Sequence, residues 1–238
     1  MLPRHPIERI AAGAGAAIDL LVRTNTDEWR LFLVSSGMAE QITETVMSGA
    51  VAAYRLPVDA TLAAYRATLP EATAGDLLAV LQGDWYFRIP AMRLADAHTK
   101  SAPTSVTYLY VFAWRSPQFD GPLGACHEPE IPFVFDTLSQ RTELLLGPNP
   151  PQPLADSIHA VWVAFASTGQ CGWPQYSPAS RATMRFDTKP AVVESPRYGR
   201  CGRLMLRGQK VTCDETSRKD AALSWARWAG CSKQHCRD

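Results

Sequence analysis

The 238-residue chain has no apolar run approaching the roughly 18 residues that would span a bilayer, which argues against a membrane protein. It has little net charge, with 24 Lys+Arg against 23 Asp+Glu, and therefore no overall basic field for specific nucleic-acid binding. It also lacks a sustained repeat or a biased tract, which sets aside collagen-like, coiled-coil and low-complexity classes. Residues 1–10 do not show the charged start, apolar middle and small-residue cleavage site of a secretory signal, so a cytoplasmic location is expected. What remains is an ordinary globular composition, 46% hydrophobic and 20% charged, long enough for one sizeable core.

The near-neutral average hides a break. Residues 1–197 carry 15 Lys+Arg and 19 Asp+Glu; residues 198–238 carry 9 and 4, together with Cys201, Cys213, Cys231 and Cys236 out of six cysteines. Two compositions predict a body over 1–197 and an unrelated, poorly ordered basic tail over 198–238. Within the tail, Ala221–Ala229 is the one candidate for a short helix. Cys213, Cys231, His235 and Cys236 do not repeat the paired spacing that zinc requires, so no metal site is expected and the thiols are read as free.

In the body, Ile18–Thr24 (IDLLVRT) reads as a buried parallel strand, and Val106–Trp114 (VTYLYVFAW) as a stronger one, aromatic and β-branched without Gly or Pro. Arg181–Asp187 is a third candidate. Between the first two, residues 38–94 are helical in pattern, with Ile42, Val46, Ala50 and Ala53 predicted on one helix face and Pro57, Pro70 and Pro90 as breaks. Leu154–Thr168 is amphipathic and runs into Gly169, a natural left-handed stop. Strands separated by helical stretches predict an α/β sheet with helices on both faces.

Two constellations follow strand ends, where α/β proteins collect ligands and reactive groups. Asn25-Thr26-Asp27-Glu28 is either such a site or a helix start capped by Thr26 or Asp27. Gly121–Glu130 (GPLGACHEPE) sets His127 among small residues, where it either caps a turn or serves acid–base chemistry. Ser116 reads as a turn residue. Cys126 sits beside His127, but adjacent side chains point apart in extended backbone and do not make a nucleophile–base pair. His98 is expected to favour a helix C-terminus as a cation, His159 to be a packed or half-exposed side chain, and Trp85, Phe87 and Trp114 to form core or pocket wall.

Gly124-Ala125-Cys126-His127-Glu128-Pro129-Glu130-Ile131-Pro132-Phe133-Val134-Phe135 resembles the histidine block of the type B carboxylesterase and cholinesterase family, Gly-Ala-x-His-x-x-Glu-x-Pro-Phe-Val-Phe. Residues 20–28 (LLVRTNTDE) are similar to that family's acid block, and 161–169 with Trp173-Pro174-Gln175-Tyr176 to its closing helix and sequel. The likeness covers about residues 3–197.

This resemblance implies the C-terminal part of an α/β-hydrolase fold, with an incomplete central sheet and flanking helices. It implies Glu28 as the acid and His127 as the general base of a Ser-Glu-His triad acting on a small-molecule carboxylic ester, without a cofactor. The family's nucleophile sits in a Gly-x-Ser-x-Gly elbow, yet no serine here has glycine at both −2 and +2. The elbow and the oxyanion hole that depends on it are therefore absent, and the chain is expected to be inactive alone unless a separate N-terminal esterase fragment supplies them. The competing reading is a non-catalytic, esterase-like binding protein. One departure stands inside the acid block: Arg23 occupies the position before Thr24 where the family usually has glycine.

Overall fold

The computed structural model describes residues 4–194, and the expectations for the tail over 198–238 fall outside them. In chain order, α1 (Pro6–Ala11) precedes β1 (Leu20–Asn25); α2 (Arg30–Val34), α3 (Glu44–Ala53), α4 (Val58–Arg66), α5 (Ala74–Gly83) and α6 (Ile89–Ser101) lead to β2 (Thr107–Phe112). Then come α7 (Glu130–Val134), α8 (Glu143–Leu146), α9 (Gln152–Thr168), β3 (Ala182–Phe186) and β4 (Ala191–Glu194). The four strands form one sheet in sequence order, parallel from β1 to β2 to β3 and antiparallel from β3 to β4.

The apolar character of β2 follows from its central position. Tyr108, Tyr110 and Phe112 face one side and pack with Phe133, Leu154, Ala155, Ile158 and Phe186 under α7 and α9. Leu109 faces the other side and packs with Val22 of β1 and with Ala91 and Ala95 of α6. A strand buried on both faces has no polar alternation to display. β4 has no such signature: its four residues are mostly exposed, so nothing in the sequence marks it as a strand.

A second cluster gathers α2 to α5 around Leu33, Met47, Val51, Tyr65, Leu77, Leu78 and Leu81. Here Ile42, Val46 and Ala50 of the predicted face do pack, but Ala53 does not and the face is centred elsewhere. Thr43 caps the helix by accepting the Val46 N–H, which leaves Ile42 outside it, and Ala53 is exposed. The buried stripe is Met47 and Val51, whose longer side chains reach the neighbouring helices where alanines would not.

Pro57 and Pro70 interrupt the helices as expected, but Pro90 does not. Residues 74–101 run as one helical segment through a π-turn at Asp84–Arg88, where the Ile89 N–H reaches the Asp84 carbonyl. The widened turn lies four residues upstream of Pro90, where its ring would otherwise clash and its missing N–H would leave a gap.

Candidate active site

Two loops leave the carboxyl ends of adjacent parallel strands and are stapled together. After β1, the turn over 26–29 is tied to β2 by the Thr26 N–H, which donates to the Phe112 carbonyl at 2.9 Å. Asp27 then meets the second loop twice: its N–H donates to the Ala125 carbonyl at 2.9 Å, and its carboxylate accepts the Ala125 N–H at 3.0 Å. Neither Thr26 nor Asp27 caps α2, which begins at Arg30 without a side-chain cap; the Asp27 carboxylate is used across the loops instead. Gly124 makes this approach feasible. Its φ is +60°, and a Cβ there would collide with the Asp27 carboxylate.

The staple brings Glu28 and His127, 99 residues apart, into contact: His127 Nδ1 donates to Glu28 Oε2 at 2.7 Å. Glu28 is 3% exposed, and its Oε1 accepts the Asn25 N–H at 2.7 Å. The carboxylate is thus fixed at both oxygens. Glu128, directly after the histidine, has φ +73°, a left-handed conformation that is strained for a side-chain-bearing residue and turns the chain into α7.

The hydrogen bond from Glu28 is the main influence raising the His127 pKa above the ordinary histidine value, outweighing partial burial; Glu128 raises it further and Arg23 lowers it. Among the described residues no hydrogen bond engages Nε2, and the side chain is 24% exposed. The ring lies 4.9 Å from Phe87 and 5.7 Å from Phe32, centroid to centroid.

Phe87 owes its place to the π-turn. Arg88 Nη1 donates to Asp84 at 2.6 Å, Asp84 accepts the Tyr65 hydroxyl at 2.9 Å, and Arg88 Nη2 donates to the Thr26 carbonyl at 3.1 Å. The π-turn is therefore anchored to the Glu28 turn. Trp85 stacks on Tyr54 at 4.8 Å, whereas Trp114 packs on Phe133. Phe32 escapes sequence reasoning as a site neighbour, because it is spaced as an ordinary helical residue. Glu130 matches the histidine block, but only the fold brings it to Arg23 and Asn25.

Glu130, 1% exposed, lies 2.6 Å from Arg23 Nη2 and accepts from Asn25 Nδ2 at 2.5 Å. Burial raises its carboxyl pKa above the usual value, against the lowering effect of Arg23. Cys126 is buried and its thiol is pushed up to about 12 by burial, so it offers no thiolate to its neighbour. Ser116 is a turn residue, donating to the Leu145 carbonyl at 2.6 Å and accepting the Gln118 N–H.

His98 lies in the last turn of α6, at a helix end as expected. It is buried there and bridges Thr107 Oγ1 and the Ile18 carbonyl at 2.8 and 2.9 Å, joining α6 to the sheet. His159 Nδ1 donates to the Val134 carbonyl at 2.9 Å. Among the described residues no cluster of His, Cys, Asp and Glu suits a metal ion, and no helix is long and apolar enough to cross a membrane.

A stapled acid–imidazole pair at the ends of parallel strands is the geometry implied by the histidine and acid blocks, and the model of the Carboxylesterase family matches residues 1–203. The chain belongs to the carboxylesterase family. It is 28% identical over 204 residues to the para-nitrobenzyl esterase of Bacillus subtilis (strain 168), covering 82% of this chain and 39% of that protein. It is 26% identical over 213 residues to the acylcarnitine hydrolase of Rattus norvegicus, covering 80% of this chain and 37% of that one.

Among solved structures, a PNB esterase superposes with TM-score 0.65 at 26% identity, over 86% of this chain and 41% of that one. A Geobacillus stearothermophilus carboxylesterase superposes with TM-score 0.72 at 24% identity, over 85% and 43%. The four-stranded sheet is accordingly part of an α/β-hydrolase fold. The chain spans about two-fifths of the length of its curated relatives, 39% and 37%.

Proposed function

We propose that this chain carries the acid and the base of a serine carboxylic ester hydrolase, and that a separate N-terminal esterase fragment bearing a Gly-x-Ser-x-Gly elbow completes it. The observation that carries this reading is the 2.7 Å bond from His127 Nδ1 to Glu28 Oε2, which commits one imidazole nitrogen and leaves Nε2 directed to other use. With Nδ1 protonated, Nε2 is the basic nitrogen, and Glu28 stabilises the imidazolium that forms when it takes a proton. A serine hydroxyl would surrender its proton to Nε2 as its oxygen attacks the ester carbonyl; the imidazolium would then return that proton to the departing alcohol. Water would release the acyl group by the same exchange. The substrate is a small-molecule ester, and the reaction calls on no cofactor.

The outer edge of β1 supports a partner segment: among the described residues nothing pairs with it, although β1 is a parallel strand of the kind usually buried inside a sheet. The test is hydrolysis of a p-nitrophenyl ester by the 238-residue chain alone and after co-expression with an N-terminal fragment of a carboxylesterase. The chain alone gives no turnover; the pair gives turnover that falls by at least about 10³-fold in His127→Ala. Rapid hydrolysis by the chain alone that a serine reagent blocks, or a stable pair without turnover, overturns the proposal, the latter in favour of a non-catalytic binding role.

A further inference from the structure

The polar cluster behind the imidazole contains two more charged groups than an acid–base pair needs. Arg23 projects from β1 on the same face as Asn25, and its guanidinium lies between two buried carboxylates. Nη2 is 2.6 Å from Glu130 Oε1 and Nη1 is 3.7 Å from Glu28 Oε1. Asn25 links the same two acids, since its N–H donates to Glu28 and its side-chain amide to Glu130. Without Arg23, two carboxylates bridged by one residue would face each other in a site with little water, a repulsion that would act directly on Glu28. With Arg23 and an imidazolium at 127, the four groups Arg23, Glu28, Glu130 and His127 sum to zero.

We propose that Arg23 tunes the acid–imidazole pair from behind: its guanidinium lies between the two buried carboxylates and cancels the charge that Glu130 would otherwise impose on Glu28 and His127. This inference rests on the reading of His127 as the base and deepens it. Arg23 touches no reacting atom and acts through Glu28. The charges facing the imidazole are Glu28 from the turn after β1, Arg23 from β1 itself and Glu128 from the histidine loop, while α2 and the π-turn set the rings of Phe32 and Phe87 beside it. Glu130 of α7 reaches it through Arg23.

The test follows the His127 Cε1 resonance through a pH titration of the ¹³C-histidine-labelled 238-residue chain, with the signal assigned by its loss in His127→Ala. Arg23→Met exposes Glu28 to an uncancelled Glu130, so the His127 titration moves upward by about 0.5 pH unit or more. Glu130→Gln, which keeps shape and removes charge, leaves Arg23 unopposed and moves it downward by about as much. The double variant returns it close to the parent. Should Arg23→Met fail to fold, Glu130→Gln carries the test. A His127 titration within about 0.2 pH unit of the parent in the folded single variants overturns the proposal. The readout needs no turnover: failure of fragment complementation would sink the esterase reading alone, and unmoved titrations with restored turnover would sink this one alone.

Discussion

At the scale of single residues, the site depends on one hydrogen bond with a pH signature. The Glu28 bond raises the folded-state pKa of His127. Its contribution to stability is therefore complete below the unfolded histidine value, near 6.5, and is lost as pH rises through the raised folded value. Replacing Glu28 with Gln should lower the His127 titration by about 1 pH unit. The same change should flatten this part of the stability profile, seen as a smaller difference between urea midpoints measured at mildly acidic and mildly alkaline pH. An unchanged titration would mean that Glu28 does not hold the imidazole in solution. These two residues were legible in the sequence only because whole blocks around them matched a known pattern. Taken singly, Glu28 reads as well as a helix-start acid, and His127 as a turn residue. Glu130 stands in the same histidine block, but its setting was not legible, because its burial comes from α7 folding back under β2 and from Arg23 meeting it, neither of which spacing along the chain reveals.

At the scale of elements, the decisive joint is the pair of loops held by Asp27 and Ala125. Gly124→Ala would put a side chain on a residue with φ +60° and against the Asp27 carboxylate, a double penalty of about 1–3 kcal/mol. Equilibrium urea unfolding measures it, and a loss below a few tenths of a kcal/mol would show that the joint adapts. Elements with a strong local rule were readable. β2 is aromatic and aliphatic from Tyr108 to Phe112 because both of its faces are covered, and α9 stops at Gly169, whose φ is +72°. Elements governed by neighbours were not. The buried stripe of α3 is chosen by where the neighbouring helices lie, and Pro90 is absorbed by a π-turn that no propensity marks. β4 exists because β3 offers it an edge.

At the scale of the whole molecule, two packing centres divide the work. The sheet with α6, α7 and α9 holds the strand ends, and the cluster of α2 to α5 supplies, through the π-turn, the ring that lies beside His127. The staple between the two strand-end loops closes a span of nearly a hundred residues. During synthesis the acid emerges long before its imidazole exists, so their contact is expected among the last events of folding rather than in its nucleus. Long-range closures of this kind slow folding more than they weaken the product. Pulse-labelled hydrogen exchange should find the Asn25 and Ala125 amides gaining protection together, after those of α5 and α9. Early protection at either amide would place the crevice at the start of the pathway. A variant that slows maturation of this chain can therefore lie in the spacing between residues 28 and 127, far from the contact it delays.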